Sequence, residues 1–191
     1  PPGSYNSYVI KATDNPGKID DFLTLLSRQG IKYGVAKADS KNLRGLSYLT
    51  GDQASFSLEK GDLIIPASQP RAVLTHVLFE PEGFLSDSLT YDITAWCIPM
   101  AYGLDAYATE VQLDYAADEK PPMQKIGSNE KPYAYAMEWG SIPAARAVTD
   151  LITRGIIARY AVSPFRVGGV DYPAGTVLLM RADNRKNPGF D

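Results

Sequence analysis

One histidine (His76), one cysteine (Cys97) and a scatter of carboxylates are the side chains of this chain with the most obvious catalytic chemistry. A zinc peptidase site needs two histidines and a carboxylate, as His-x-x-Glu with a distant His or as His-Glu-x-x-His. With His76 alone, and Phe79 three residues after it, the chain cannot assemble that site by itself. His76 lies beside Val77 and Leu78 in an apolar helical stretch and reads as a partly buried histidine. Cys97 sits in Thr94-Ala95-Trp96-Cys97-Ile98-Pro99 without the flanking glycines of a nucleophile elbow, so it reads as a small core residue. Glu80, Glu82, Asp87 and Asp92 could in principle supply paired carboxylates for acid–base hydrolysis, although acidic residues near loops are ordinarily just solvated. No Gly-x-Ser-x-Gly occurs, and Gly168-Gly169 is not followed by the Lys-Ser/Thr of a phosphate loop. No catalytic constellation is expected within the chain.

Candidates for binding are the residues that follow strands. In doubly wound sheets ligands collect beyond the carboxyl ends of strands. Here that position is taken by Thr13-Asp14-Asn15 and Glu138-Trp139-Gly140, each of which also reads as a helix-starting turn. Tyr91, Trp96 and Tyr102 add an aromatic surface beside Asp92, with Trp96 alternatively an anchor in the core. The candidate ligand or packing surface is therefore Asp14, Asn15, Tyr91, Asp92, Trp96, Glu138 and Trp139.

Composition narrows the partners. The net charge of -3 over 191 residues is at odds with a nucleic-acid surface, which needs clustered Lys and Arg. No apolar run approaches the roughly 18 to 20 residues of a membrane-spanning helix. A single cysteine rules out an internal disulfide framework.

The elements that must position these residues come twice. Tyr8-Val9-Ile10 leads through a helical pattern to Gly30-Ile31 and Val35-Ala36; Tyr133-Ala134-Tyr135 leads to Gly155-Ile156 and Tyr160-Ala161. The offset is 125 in each case (133 − 8, 155 − 30, 160 − 35). Gly61-Asp62-Leu63-Ile64-Ile65 then matches Gly175-Thr176-Val177-Leu178-Leu179 at an offset of 114, so the first copy carries 11 more residues (125 − 114) before that glycine. In the first copy Pro16 opens a helix, Ile19, Phe22, Leu23 and Leu26 form its apolar stripe, and Gly30 ends it. In the second, Ser141 caps, Pro143 sits in the first turn, Ala144, Ala147, Val148, Leu151 and Ile152 form the stripe, and Gly155 ends it. Phe165 to Tyr172, broken by Gly168-Gly169, reads as a hairpin, and Arg71 to Phe79 as a helix opened by Pro70.

Strands alternating with helices predict β-α-β units on a mostly parallel sheet. The expectation is one α/β domain over 1–191, a three-layer sandwich. Its parts are repeat one over about 5–80, an inter-repeat segment over about 86–130, and repeat two over about 131–191, which looks truncated at its C-terminal end.

The segment Ser86-Asp87-Ser88-Leu89-Thr90-Tyr91-Asp92-Ile93-Thr94-Ala95-Trp96-Cys97-Ile98-Pro99-Met100-Ala101-Tyr102-Gly103-Leu104 resembles a stretch of bacterial M14-type zinc carboxypeptidases. In that family a Tyr-Asp-Val-Thr-Ala-Trp-(Ser/Thr)-Leu-Pro motif lies downstream of the catalytic domain. Gly61 to Pro70 resembles the strand and Gln-Pro helix start of the same region. The resemblance implies a flavodoxin-like, class I glutamine amidotransferase-like fold. It further implies a non-catalytic accessory domain of an exported, periplasmic or secreted peptidase, with zinc held only by the parent peptidase domain. Amidotransferases of that fold place their catalytic Cys before His, whereas His76 precedes Cys97 here, so no catalytic role carries over. The expected partner is the peptidase domain of the parent polypeptide. A peptide- or glycan-binding module is the alternative, and a thiol hydrolase using Cys97 a third reading.

Overall fold

The computed structural model describes residues 4–81, 97–121, 131–188 and 190. Two compact units divide the chain, residues 1–123 and 124–191. The first contains β1 (Ser7–Ile10), α1 (Pro16–Gln29), β2 (Gly34–Ala36), β3 (Ser40–Ser47), β4 (Gln53–Leu58), β5 (Leu63–Pro66), α2 (Ala72–Phe79), α3 (Ile98–Tyr102), β6 (Ala106–Thr109) and β7 (Tyr115–Ala117). The second contains β8 (Ala134–Met137), α4 (Ile142–Thr153), β9 (Arg159–Tyr160), β10 (Phe165–Val167), β11 (Val170–Tyr172), β12 (Val177–Met180) and α5 (Arg181–Asn184).

The helices start and stop where their side chains dictate. Asn15 caps α1, its Oδ1 accepting from the amides of Gly17 at 3.0 Å and Lys18 at 3.3 Å, and Pro16 follows where no helical N–H is needed. Ile19, Phe22, Leu23 and Leu26 are all buried, and Gly30 ends the helix at φ 67°. Ser141 caps α4 by accepting from the Ala144 amide at 3.2 Å. Of its expected stripe, Val148 and Leu151 pack on the core, but Ile152 is 57% exposed. The small second unit has too little sheet to cover the whole helix face.

Both repeats fold alike and share their hydrogen bonds from the helix end onward. The first strand departs from the expected offset: Ile10 faces Leu63 and Met137 faces Val177, so β1 and β8 correspond at 127 (137 − 10) rather than 125. Ile31 N donates to Leu26 O and Ile156 N to Leu151 O. The amides of Ala36 and Gly61 exchange bonds with Asp62 O and Ala36 O, as those of Ala161 and Gly175 do with Thr176 O and Ala161 O. Each of these bonds follows the offsets of 125 and 114.

The expected three-layer α/β sandwich on a mostly parallel sheet, flavodoxin-like or class I glutamine amidotransferase-like, is overturned. Every strand pairing described is antiparallel. The first unit is a seven-stranded sheet of order β4-β3-β6-β1-β5-β2-β7, and the second has sheets of order β8-β12-β9 and β10-β11. β1 and β2 do run the same way on either side of α1. The strand after the Gly61 turn, β5, inserts between them and runs against both; β12 does the same between β8 and β9. Each repeat is thus a split β-α-β unit.

Helices cover one face of the first sheet. Tyr8, Ile10, Leu63 and Ile65 point toward Phe22, Leu26, Phe79 and Ile98. The alternate residues Val9 and Ile64 join Phe56, Leu58 and Leu43 from the β3–β4 hairpin, with no helical residue in that cluster. That hairpin holds the sequence surplus of the first copy. Its strands are eight and six residues long, against three and three in β10 and β11. The sheet curls far enough for Lys11 Nζ, just past β1, to donate to Ser57 O on the edge strand at 2.9 Å.

Candidate functional site

The chemistry-bearing side chains gather in two places in the first unit. One lies at the carboxyl end of β1. Asp62, 1% exposed, accepts from Lys11 Nζ, from the Ala12 amide at 2.9 Å and from the Glu59 amide at 2.8 Å. Asp14 accepts from the Asn15 amide at 2.6 Å and the Asp105 amide at 2.7 Å, with Lys18 Nζ 3.8 Å away. Burial raises the Asp105 carboxyl above its usual range. The charges of Asp14 and Asp62 add to that rise, while a hydrogen bond with Tyr107 and the Lys11 ammonium oppose it. The Tyr107 phenol is pushed up in turn, by burial and by Asp105. These contacts fasten the start of α1, the start of β5 and the start of β6 to one another. Asp14 and Asn15 are therefore helix-starting and loop-tying residues.

The second gathering surrounds Cys97, which precedes α3 and packs against the core that includes Tyr8 and Tyr48. Tyr48 donates its hydroxyl to Phe79 O, and burial drives the Tyr8 and Tyr48 phenols far up. His76 Nδ1 stands 3.1 Å from Glu80 Oε2, at an angle that does not make a hydrogen bond. Burial raises the Cys97 thiol, a hydrogen bond with the Met100 backbone lowers it, and the nearby Glu80 charge raises it further. A thiol nucleophile requires the opposite, a thiolate stabilised by positive neighbours. Thiol labelling of the folded chain at pH 8 is accordingly expected to run slower than that of free cysteine and to accelerate as pH climbs above the ordinary thiol range. Labelling as fast as free cysteine at pH 8 would contradict this environment.

In the second unit, Glu138 and Trp139 follow β8 and lead into the α4 cap through Gly140; Trp139 is 54% exposed. They stand free of any cluster of charged or polar groups among the described residues. Tyr91, Asp92 and Trp96, with Glu82 and Asp87, lie outside the described residues. Tyr102 is half-buried, edge-on to Phe22 at 5.6 Å, and so belongs to the core rather than to a binding platform.

No group of three or more His, Cys, Asp or Glu side chains among the described residues is placed to hold a metal ion. No helix among them is long and apolar enough to cross a membrane. An open cleft of about 410 Å³ lies between β3 and β6, lined by Asn42, Arg44, Gln53, Thr109 and Glu110 among others, and includes none of the expected site residues.

Lys11, Asp62, Asp105 and Tyr107 form the principal polar cluster, and the sequence pattern did not single them out. A usable signal existed for one of them. Asp62 opens an apolar strand immediately after a glycine turn, a place where an aspartate must find donors. Comparison of the chain with protein-family models, with curated proteins and with solved structures yields no match.

Proposed function

We propose that this chain is a non-catalytic accessory module of an exported bacterial zinc carboxypeptidase of the M14 type. It would pack against, or present substrate to, a peptidase domain elsewhere in its parent polypeptide. The observation carrying the non-catalytic part is that Asp14, Asn15 and Asp62 are occupied in bonds to backbone amides. Cys97 is held toward its protonated form as well. The family part rests on the Tyr91 to Gly103 motif alone, because the antiparallel sheet withdraws any support from fold. Zinc calorimetry and a peptide-hydrolysis assay on the chain are expected to show neither tight stoichiometric zinc nor turnover. The parent reading frame is expected to encode a His-x-x-Glu set outside this segment. A parent frame without such a set, or turnover by the chain itself, would overturn the proposal.

A binding module for peptide or glycan is favoured by one observation, the exposed rings of Tyr133, Trp139 and Tyr160 at 74%, 54% and 70%. Such faces stack on sugar rings and apolar side chains at little entropic cost. Thermal-shift measurements against glycan and peptide panels separate this reading from pure packing, which predicts no specific stabilisation.

A further inference from the structure

We infer that the outer edge of β8 pairs antiparallel with β8 of a second copy of this chain. The inference stands apart from the peptidase proposal and starts from the duplication. Register places Ile10 opposite Leu63 and Met137 opposite Val177, so β8 occupies in its unit the place that β1 occupies in the first. β1 has a strand on each side, β5 and β6. β8 has β12 on one side and, among the described residues, no strand on the other.

The direction of the backbone groups shows what the open side offers. Arg181 N donates to Tyr133 O, so Tyr133, and by alternation Tyr135 and Met137, direct their amides and carbonyls toward β12. Ala134 and Ala136 therefore point theirs outward. Lys11 N donates to Asp105 O, which sets Val9 and Ser7 facing β6 in the same manner. The second unit thus repeats the docking edge of the first, with no strand seated on it among the described residues.

The features of β8 favour a second copy as the occupant. Its sequence Ala134-Tyr135-Ala136-Met137 alternates small and aromatic residues, as does Ala106-Tyr107-Ala108-Thr109 of β6, the strand seated on the equivalent edge. It carries none of the devices that guard natural edges, neither an internal charge nor a proline nor a bulge. A twofold axis at Tyr135 sets Ala134 opposite Ala136 of the other copy, brings both outward residues into hydrogen-bonded pairs, and makes Tyr135 an aromatic cross-strand pair. Tyr133 and Trp139, 74% and 54% exposed, flank the strand in sequence and add apolar area that its four residues lack. So short a seam predicts a weak dimer, roughly micromolar or weaker.

Sedimentation equilibrium of the whole chain tests this, with hydrogen exchange read at the same concentrations. The average mass is expected to climb from 20.8 kDa toward twice that value with concentration, while exchange at the Ala134 and Ala136 amides slows in step. Ala136→Pro deletes an outward amide and leaves the β12 ladder intact, so self-association should weaken about tenfold or more with melting temperature little changed. A mass fixed at 20.8 kDa throughout overturns the inference. So does Ala136→Pro associating like the parent, or concentration-independent exchange at those two amides. Should the proline variant not fold, the exchange measurement on the unaltered chain decides.

Discussion

Asp62→Ala is expected to cost about 3 kcal/mol of stability, because it removes the close counterion of a nearly buried ammonium and leaves it only the exposed Glu59 carboxylate at 3.9 Å. Lys11 is 11% exposed and Asp62 1%, and the same carboxylate also serves the amides of Ala12 and Glu59. Alanine takes the acceptor from three donors at once, of which Lys11 Nζ keeps Ser57 O at 2.9 Å. Denaturant unfolding gives the total, and hydrogen exchange at the β1 and β5 amides localises it to the first unit. A loss under about 1 kcal/mol would mean that water replaces the carboxylate freely, contrary to its burial. The duplication suggests the rescue. By register Lys11 and Asp62 correspond to Glu138 and Thr176, and Thr176, fully buried, turns its hydroxyl inward to Pro173 O at 2.7 Å. The split β-α-β unit therefore does not need the ion pair. Lys11→Met combined with Asp62→Thr should recover a good part of the loss, since both charges are then gone together.

Gly34→Ala is the second large effect. A Cβ at Gly34 would lie 2.1 Å from Ala116 O and 2.6 Å from the Tyr115 ring, with β5 pinning the other side of the strand. Backbone cannot yield as a side-chain tip can, so separation of β7 from β2 is expected, at about 3 kcal/mol or more. Faster exchange confined to the β2–β7 amides would identify the seam. Wild-type-like exchange there would refute the close approach. Gly51→Ala is the contrast: nothing lies within 4 Å, and only φ of 77° opposes it, a cost of about 1–2 kcal/mol. The repeat again explains the choice of residue. Gly34 corresponds to Arg159, which lies in an edge strand of a three-stranded sheet and has room for any side chain.

Helix limits were legible because their causes are local. Asn15, Pro16 and Gly30, like Ser141 and Pro143, satisfy or forgo hydrogen bonds within a turn of their own position. Tyr8, Val9 and Ile10 are apolar throughout, so they mark a strand buried on both sides, and only the structure shows that Val9 faces away from Tyr8 and Ile10. The Gly168-Gly169 hairpin was equally plain, since both residues need the positive φ (60° and 84°) that glycine allows. β3 was not legible. Its first half, Ser40-Lys41-Asn42-Leu43-Arg44, is mostly polar, interrupted by an irregular register and by Asn42 at φ 58°, and its stability comes from β4 and β6. β6 and β7 gave too short a pattern for the same reason.

For the polar residues, the sequence located Asp14 and Asn15 after a strand but not their bonds. Asp105, whose amide Asp14 holds, is 91 residues away, and Lys11 and Asp62 are 51 apart. Such meetings depend on which strands become neighbours.

By itself, then, the sequence determined the duplication, the helix caps and the glycine turns, the last two set by steric and hydrogen-bonding preferences within a few residues. Tertiary structure alone decided that β5 and β12 enter between the strands of each repeat, turning an expected parallel sheet antiparallel. A strand's periodicity records which face is buried, whereas its ladder hydrogen bonds can be satisfied by a neighbour from any distance along the chain and in either direction.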